Sequence, residues 1–242
     1  MTTKKSGGGR RGEHVRPHAN KRRKASSRRW LERQLNDPYV TTARADGYRS
    51  RAAYKLLEID DRMGVLARGG RVVDLGAAPG GWTQVAVARV HAGKPGGGRV
   101  VALDINPMEE IPGAETIQAD IRDEETPRLI RAALDGPADV VLSDMAVPTT
   151  GHAATDRLRV IGLCEIALEF AEDVLAPGGV FICKALGSGA DAGLLAAVKR
   201  VFVQVKHVKP PASRSDSAEI YLVATGFRGS IAAPDKNNDR GA

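Results

Sequence analysis

The stretch VVDLGAAPGGWTQVA, Val72 to Ala86, decides the fold. A β-branched apolar run ends at Asp74 and Leu75, three glycines (Gly76, Gly80, Gly81) and Pro79 follow, and a helical pattern starts near Thr83. This reads as a strand handing over to a helix through a glycine loop. Glycine lets such a loop turn tightly and approach a ligand that a Cβ would hold off. In an open parallel sheet, ligands bind beyond the carboxyl ends of the strands, at hand-overs of this kind. The spacing restricts the ligand: GAAPGG is not the G-x-G-x-x-G of dinucleotide sites, and no G-x-x-x-x-G-K-[ST] is present to hold phosphates. A pyrophosphate ligand is disfavoured.

Outward from this loop, short β-branched runs alternate with helical patterns, the signature of βαβ units. Strands are expected near Arg71–Leu75, Arg99–Asp104, Ala114–Gln118, Asp139–Ser143, Val180–Lys184, Phe202–Val208 and Ile220–Ala224. Helices are expected near Tyr48–Met63, Thr83–His91, Glu125–Leu134, Leu158–Leu175 and Gly189–Val201, with APGG at Ala176–Gly179 stopping the fourth before the next strand. The expected fold is therefore α/β and Rossmann-like: a seven-stranded, mostly parallel sheet with helices on both faces. Asp104 ends the second strand, where an acidic side chain can accept hydrogen bonds from a ribose diol. Asp120 ends the third and could take the exocyclic amine of an adenine; Trp82, in the loop itself, is expected to flank the ligand. Asp74, Gly76, Pro79, Gly80 and Gly81 complete the candidate binding set. An adenosyl ligand without phosphates is the implied cofactor, S-adenosylmethionine, and the fold is that of S-adenosylmethionine-dependent methyltransferases.

At 242 residues, 42% hydrophobic and 27% charged, the chain suits one soluble α/β domain, expected over 31–228. No apolar run approaches the roughly 18 residues that a membrane span needs. The first residues, MTTKKSGGGRRGEH, have no apolar segment behind their charges, so a cytoplasmic enzyme is expected. The formal charge of +7 is concentrated at the start: residues 1–30 hold eleven Lys or Arg against Glu13, net +10, leaving −3 for the remainder. Such a Gly, Ser, Lys and Arg mixture cannot bury enough apolar surface to order itself, so 1–30 reads as a basic disordered tail suited to a polyanion, and 229–242 as a frayed end. Cys164 and Cys183 sit in apolar patterns and read as packing residues; they and the five scattered histidines show no metal-ligand spacing, so no metal is expected. A monomer is expected.

Four charged residues stand in otherwise apolar contexts, which is costly unless they are paired or functional. Asp144 follows the fourth strand in LSDMAVPTTG, Lys184 ends the fifth in FICKALGSG, Glu219 opens the last in SRSDSAEIYLVATG, and Lys55 lies off the apolar stripe of SRAAYKLLEIDDRM. From about Tyr39 to Gly226 the sequence resembles the FtsJ/RlmE family of ribosomal RNA 2′-O-ribose methyltransferases, through SRAAYKLLEID, VVDLGAAPGGWTQ, ALDINPM, SDMA, DVLAPGGVFICK and EIYLVATG. The resemblance implies a Lys-Asp-Lys-Glu tetrad at Lys55, Asp144, Lys184 and Glu219, and cofactor contacts at Gly80, Trp82, Asp104, Asp120 and Asp144. It also implies a uridine of 23S ribosomal RNA, within the large ribosomal subunit, as the acceptor. Two departures stand out: Val147 and Pro148 where the family has Pro-Asn after SDMA, and Ala185, Leu186 and Gly187 where it has a Phe-Gln-Gly-like run. Both are expected in loops that face the substrate.

In the implied reaction a sugar 2′-hydroxyl attacks a sulfonium methyl, a displacement that needs no covalent enzyme intermediate. Alignment of oxygen, carbon and sulfur can supply roughly 7–11 kcal/mol of the barrier. Lys184 is expected to accept the hydroxyl proton or to stabilise the developing alkoxide, with Asp144 orienting it and Lys55 and Glu219 positioning the nucleotide. Two rivals are weaker. Amine methylation usually carries an Asn/Asp-Pro-Pro-aromatic run, and pyrimidine C5 methylation needs a nucleophilic Cys; SDMAVP supplies neither. A noncatalytic RNA-binding or ribosome-assembly factor would have no use for an intact tetrad. With aromatic residues at 4%, backbone charge and RNA shape should dominate recognition.

Overall fold

The computed structural model describes residues 32, 35–148, 150–187 and 192–229. The basic tail and the far C-terminal end expected from the sequence lie outside the described residues. Seven strands form one sheet in the order β3-β2-β1-β4-β5-β7-β6. They are β1 (Arg71–Leu75), β2 (Arg99–Asp104), β3 (Ala114–Gln118), β4 (Ala138–Ser143), β5 (Leu175–Leu186), β6 (Phe202–Val208) and β7 (Glu219–Phe227). β1 to β5 run parallel, and β7 inserts antiparallel between β5 and β6. The helices are α1 (Pro38–Ala45), α2 (Ala53–Met63), α3 (Gly81–Val90), α4 (Thr126–Leu134), α5 (Ala153–Val174) and α6 (Ala192–Val201).

Side-chain alternation along the central strands sends successive residues to opposite faces. Val73, Val141, Phe181 and Leu222 pack with Ile130 of α4, Leu168 of α5 and Val198 of α6. Val72, Leu142, Ile182 and Tyr221 pack instead with Leu56 and Ile59 of α2 and Val85 of α3. Both faces are thus covered, as a parallel sheet requires, and each fully buried Leu, Ile, Val or Phe contributes about 1.5–3 kcal/mol. The alternation also fixes the site: Lys184 pairs with Tyr221 and Leu186 with Glu219 across β5 and β7, so Lys184, Tyr221 and Glu219 share the α2–α3 face. Among the described residues, no helix is long and apolar enough to cross a membrane.

Three elements differ from expectation. The helix expected from Tyr48 begins only at Ala53, because residues 47–52 are drawn onto the start of α3 by hydrogen bonds with Gln84 and Trp82. Ala176–Gly179 does not separate helix from strand. It is a bulge within β5, where Ala138 pairs with Leu175 but Val140 with Val180, and Gly178 takes φ +85°. Helix α1 was not anticipated, since its only buried residue is Ala43; its start signal is nonetheless local, Asp37 capping the Tyr39 N–H ahead of Pro38.

Candidate active site

At the carboxyl ends of β1, β2 and β4 lies a cavity of about 510 Å³. Gly76, Asp104, Ile105, Asp120, Asp144 and Met145 are among its lining residues. Gly76 has φ +69°, and a Cβ there would collide with the Met145 side chain, so the loop and the Met145 segment close on each other only through glycine. Asp104 holds the loop with one oxygen, accepting from the Ala78 N–H at 2.9 Å, and with the other accepts from the backbone and side chain of Asn106 at 2.8 and 3.0 Å. Asp120 is paired with Arg122, which also lines the cavity; hydrogen bonds from the Arg122 side chain and N–H lower its pKa to about 2.

Among the described residues, the other candidates stand behind this cavity rather than in its wall. Asp74 is buried, accepts the Thr83 hydroxyl at 2.6 Å, and has its pKa raised to about 7, chiefly by loss of solvent. The peptide before Pro79 is cis, Gly80 has φ +109°, and Gly81 passes under Ser50, whose hydroxyl would meet any Cβ added there. Trp82 corrects an expectation: it does not flank the cavity. It is 3% exposed, its indole N–H donates to the Ala52 carbonyl at 2.8 Å, and its ring lies 5.5 Å from that of Tyr221. Packing beneath the site won over exposure beside it.

The structure brings Lys55, Asp144, Lys184 and Glu219 together as two ion pairs. Lys184 Nζ donates to the Asp144 carboxylate at 2.8 Å and to its backbone carbonyl at 2.7 Å. Lys55 Nζ bridges both Glu219 oxygens at 2.7 and 2.8 Å. Lys184 is thus held by Asp144 alone of the two acids, and Glu219 is held by Lys55 and by the Ser213 hydroxyl. Sequence reasoning missed Tyr221, which stands between the pairs. Its hydroxyl donates to Asp144 Oδ1 at 2.7 Å, Lys55 Nζ lies 5.8 Å from its ring centre, and burial and the charges of Asp144 and Glu219 raise its pKa well above the ordinary value. The period-two pattern of EIYLVATG already placed it on the face of Glu219.

Beyond Lys55 and Glu219 opens a second hollow of about 210 Å³, also lined by Arg51, Arg214, Asp216 and Ser217. It shares Arg51, Arg214 and Asp216 with a wider cavity of about 870 Å³ beside α1. Their common wall is the β6–β7 loop, which Asp37 and Glu58 tie down: Asp37 accepts from Arg51 at 3.0 Å and Arg214 at 3.1 Å, and Glu58 accepts the Ala212 N–H at 2.6 Å and the Tyr39 hydroxyl at 3.2 Å. Of the two departures, Val147 stands in the loop after β4 and lines the first cavity, whereas Ala185 is core within β5 rather than in a loop. Cys164 and Cys183 are buried and free, and the Cys164 thiol donates to the Lys184 carbonyl at 2.8 Å.

A cavity lined by glycine and carboxylates at the strands' carboxyl ends, next to a lysine–carboxylate cluster on a Rossmann-like sheet, is the layout of a group transferase. The chain matches the FtsJ-like methyltransferase family over residues 48–227 and belongs to it. It is 58% identical to the ribosomal RNA large subunit methyltransferase E of Paramagnetospirillum magneticum over 92% of both chains. It is 53% identical to the protein of that name in Rhodospirillum rubrum, over 93% of this chain and 86% of that one. Among solved structures, a ribosomal RNA methyltransferase from Plasmodium falciparum superposes with a TM-score of 0.65 at 31% identity, covering 75% of this chain and all of that one. These relatives lend no support to the noncatalytic alternative.

Proposed function

We propose that the chain transfers the methyl group of S-adenosylmethionine to the 2′-hydroxyl of a uridine in 23S ribosomal RNA, as part of the large ribosomal subunit. The observation that carries this reading is the position of Asp144, which lines the donor cavity and holds Lys184 through the same carboxylate. The relatives' name supports a large-subunit ribosomal RNA substrate. The lining supports an adenosyl donor: the glycine loop closes on Met145, and Asp104 and Asp120 bring carboxylates to the cavity wall that can accept from a ribose diol and an adenine amine. When bound, S-adenosylmethionine supplies an electrophilic methyl group on a positively charged sulfur.

The chain's own residues then position and stabilise the acceptor. Two of the three Lys184 N–H donors are held by Asp144, which leaves the third for the sugar oxygen. Tyr221 fixes Asp144 from the other side, so the ammonium is oriented before the acceptor arrives. As the oxygen–carbon bond forms, the hydroxyl proton would pass to water and the carbon–sulfur bonding pair would stay on sulfur, while the Lys184 ammonium stabilises the negative charge that the oxygen carries as its proton leaves. Lys55 and Glu219, locked as a pair, form the floor of the neighbouring hollow and hold the acceptor nucleotide.

The test is labelled-methyl transfer to unmodified large subunits, free 23S RNA and an unrelated RNA, followed by mapping of the nucleotide. Transfer to one uridine of the ribosomal substrates is expected. Equal labelling of the unrelated RNA contradicts the assignment. Removing residues 1–30 is expected to weaken RNA binding and its salt dependence while leaving donor binding intact.

A further inference from the structure

Lys55 and the donor loop belong to different binding steps, yet a short strap joins them. Residues 47–52 lie across the first turn of α3: Gln84 donates to the Gly47 carbonyl at 2.9 Å and accepts the Arg49 N–H at 2.8 Å, and Trp82 donates to the Ala52 carbonyl at 2.8 Å. The strap runs directly into α2, whose first turn carries Lys55.

Arg49 fastens this strap to the donor side. Its guanidinium donates to the carbonyls of Pro79 at 3.3 Å, Glu109 at 2.7 Å and Glu110 at 2.8 Å. Pro79 belongs to the glycine loop, and Glu109 and Glu110 to the loop that follows Asp104. One side chain therefore holds both loops to the backbone segment that leads to Lys55. Its hydrogen bonds go to carbonyl oxygens, and its nearest carboxylate, that of Glu109, is 3.9 Å away and 93% exposed. Arg49 lines neither the donor cavity nor the hollow beside Lys55. Its influence on these two hollows passes through the backbone it braces. At Gly81 the strap and loop are so close that a Cβ would displace the Ser50 hydroxyl.

We propose that Arg49 is a positioning residue that couples the donor loop to Lys55, so that methyl donor and RNA bind cooperatively. Donor binding that orders the glycine loop and the loop after Asp104 fixes the three carbonyls, then the strap, then the start of α2, and Lys55 meets its RNA already aligned. Linkage requires the effect to be reciprocal: RNA must tighten donor binding by the factor by which donor tightens RNA binding. The coupling rests on the RNA methyltransferase reading above.

The test is a binding cycle on the full chain, with the RNA dissociation constant measured with and without saturating S-adenosylhomocysteine, the demethylated donor, for wild type, Arg49→Met and Arg49→Lys. Wild type is expected to bind RNA about tenfold more tightly with the adenosyl ligand, within the usual range for linked sites. Arg49→Met is expected to bring that factor close to one, with Arg49→Lys in between. A brace with a purely structural role lowers the melting temperature and leaves the factor unchanged, and that result overturns the proposal. If Arg49→Met does not fold, Gln84→Leu cuts the neighbouring bonds of the strap and must show the same loss of coupling. A wild type that methylates RNA without any coupling sinks the proposal alone; a wild type that methylates no RNA sinks the underlying reading as well.

Discussion

On the donor side of Asp144 the cavity is walled mainly by loops that each follow a strand, with Leu163 and Ile166 of α5, whereas the acceptor side is assembled from α1, α2 and the β6–β7 loop, distant in sequence. Charge follows the same division. Residues 104–125 hold eight acidic side chains against Arg122, while Arg51, Lys55 and Arg214 line the second hollow. A polyanion is repelled from the first wall and drawn to the second. The donor side offers carboxylates and glycine, and the acceptor side is a web of ion pairs, Asp37 with Arg51 and Arg214 and Glu219 with Lys55. The difference teaches that a small ligand can be read by local loops, but a polymer needs a surface built from the whole chain.

Breaking the junction between the two sides has the largest expected effect. Lys184→Ala removes the charge at the reacting oxygen and should slow methyl transfer by roughly 10²–10³-fold, the usual cost of losing one such donor, while the donor dissociation constant, measured by calorimetry, changes little. Asp74→Asn sharpens the donor side. The folded-state pKa of Asp74, near 7, lies above its unfolded value, so stability is fullest below about pH 4 and is lost as pH rises through 7. The Asn variant should therefore gain on wild type between pH 4 and pH 8, by up to about 4 kcal/mol, in denaturant unfolding at both pH values.

On the acceptor side, Asp37→Ala leaves two guanidiniums without their shared carboxylate. Loss of one partner from a buried pair costs roughly 3–5 kcal/mol; with the Arg214 side chain 30% exposed, about 2 kcal/mol is expected here. Steady-state kinetics should show a raised KM for RNA and an unchanged KM for the donor. Tyr221→Phe is the mildest change. It deletes one hydrogen bond to Asp144, worth about 1 kcal/mol, and should lower kcat about fivefold with both KM values preserved.

The same division governs what the sequence alone discloses. The alternation of strands and helices, the glycine loop and Asp104 are local signals, and the sheet they foretell is the one observed. Helix α1 escaped because a helix that buries one alanine has no apolar stripe to read, although Asp37-Pro38 marked its start. The strap at 47–52 looked helical because Tyr48 and Ala52 fit the pattern, and only its bonds to Gln84 and Trp82 unwind it. Trp82 looked like a ligand contact because it sits in the glycine loop, yet its ring packs beside Tyr221 and its indole N–H meets the Ala52 carbonyl. The tetrad positions came from resemblance, and their partners did not: nothing in the spacing of Lys55, Asp144, Lys184 and Glu219 says which lysine meets which acid. Asp37, Glu58, Ser213 and Arg214 became legible only in three dimensions.

The central claim, a ribose hydroxyl as acceptor, is tested most directly by alkaline digestion of RNA methylated with labelled donor. A 2′-O-methyl group removes the nucleophile that cleaves the adjacent phosphodiester, so the label should emerge in an alkali-resistant dinucleotide that begins with uridine. Label recovered in a mononucleotide would mean that a base was methylated, and would contradict the assignment of Asp144 and Lys184 to a sugar oxygen.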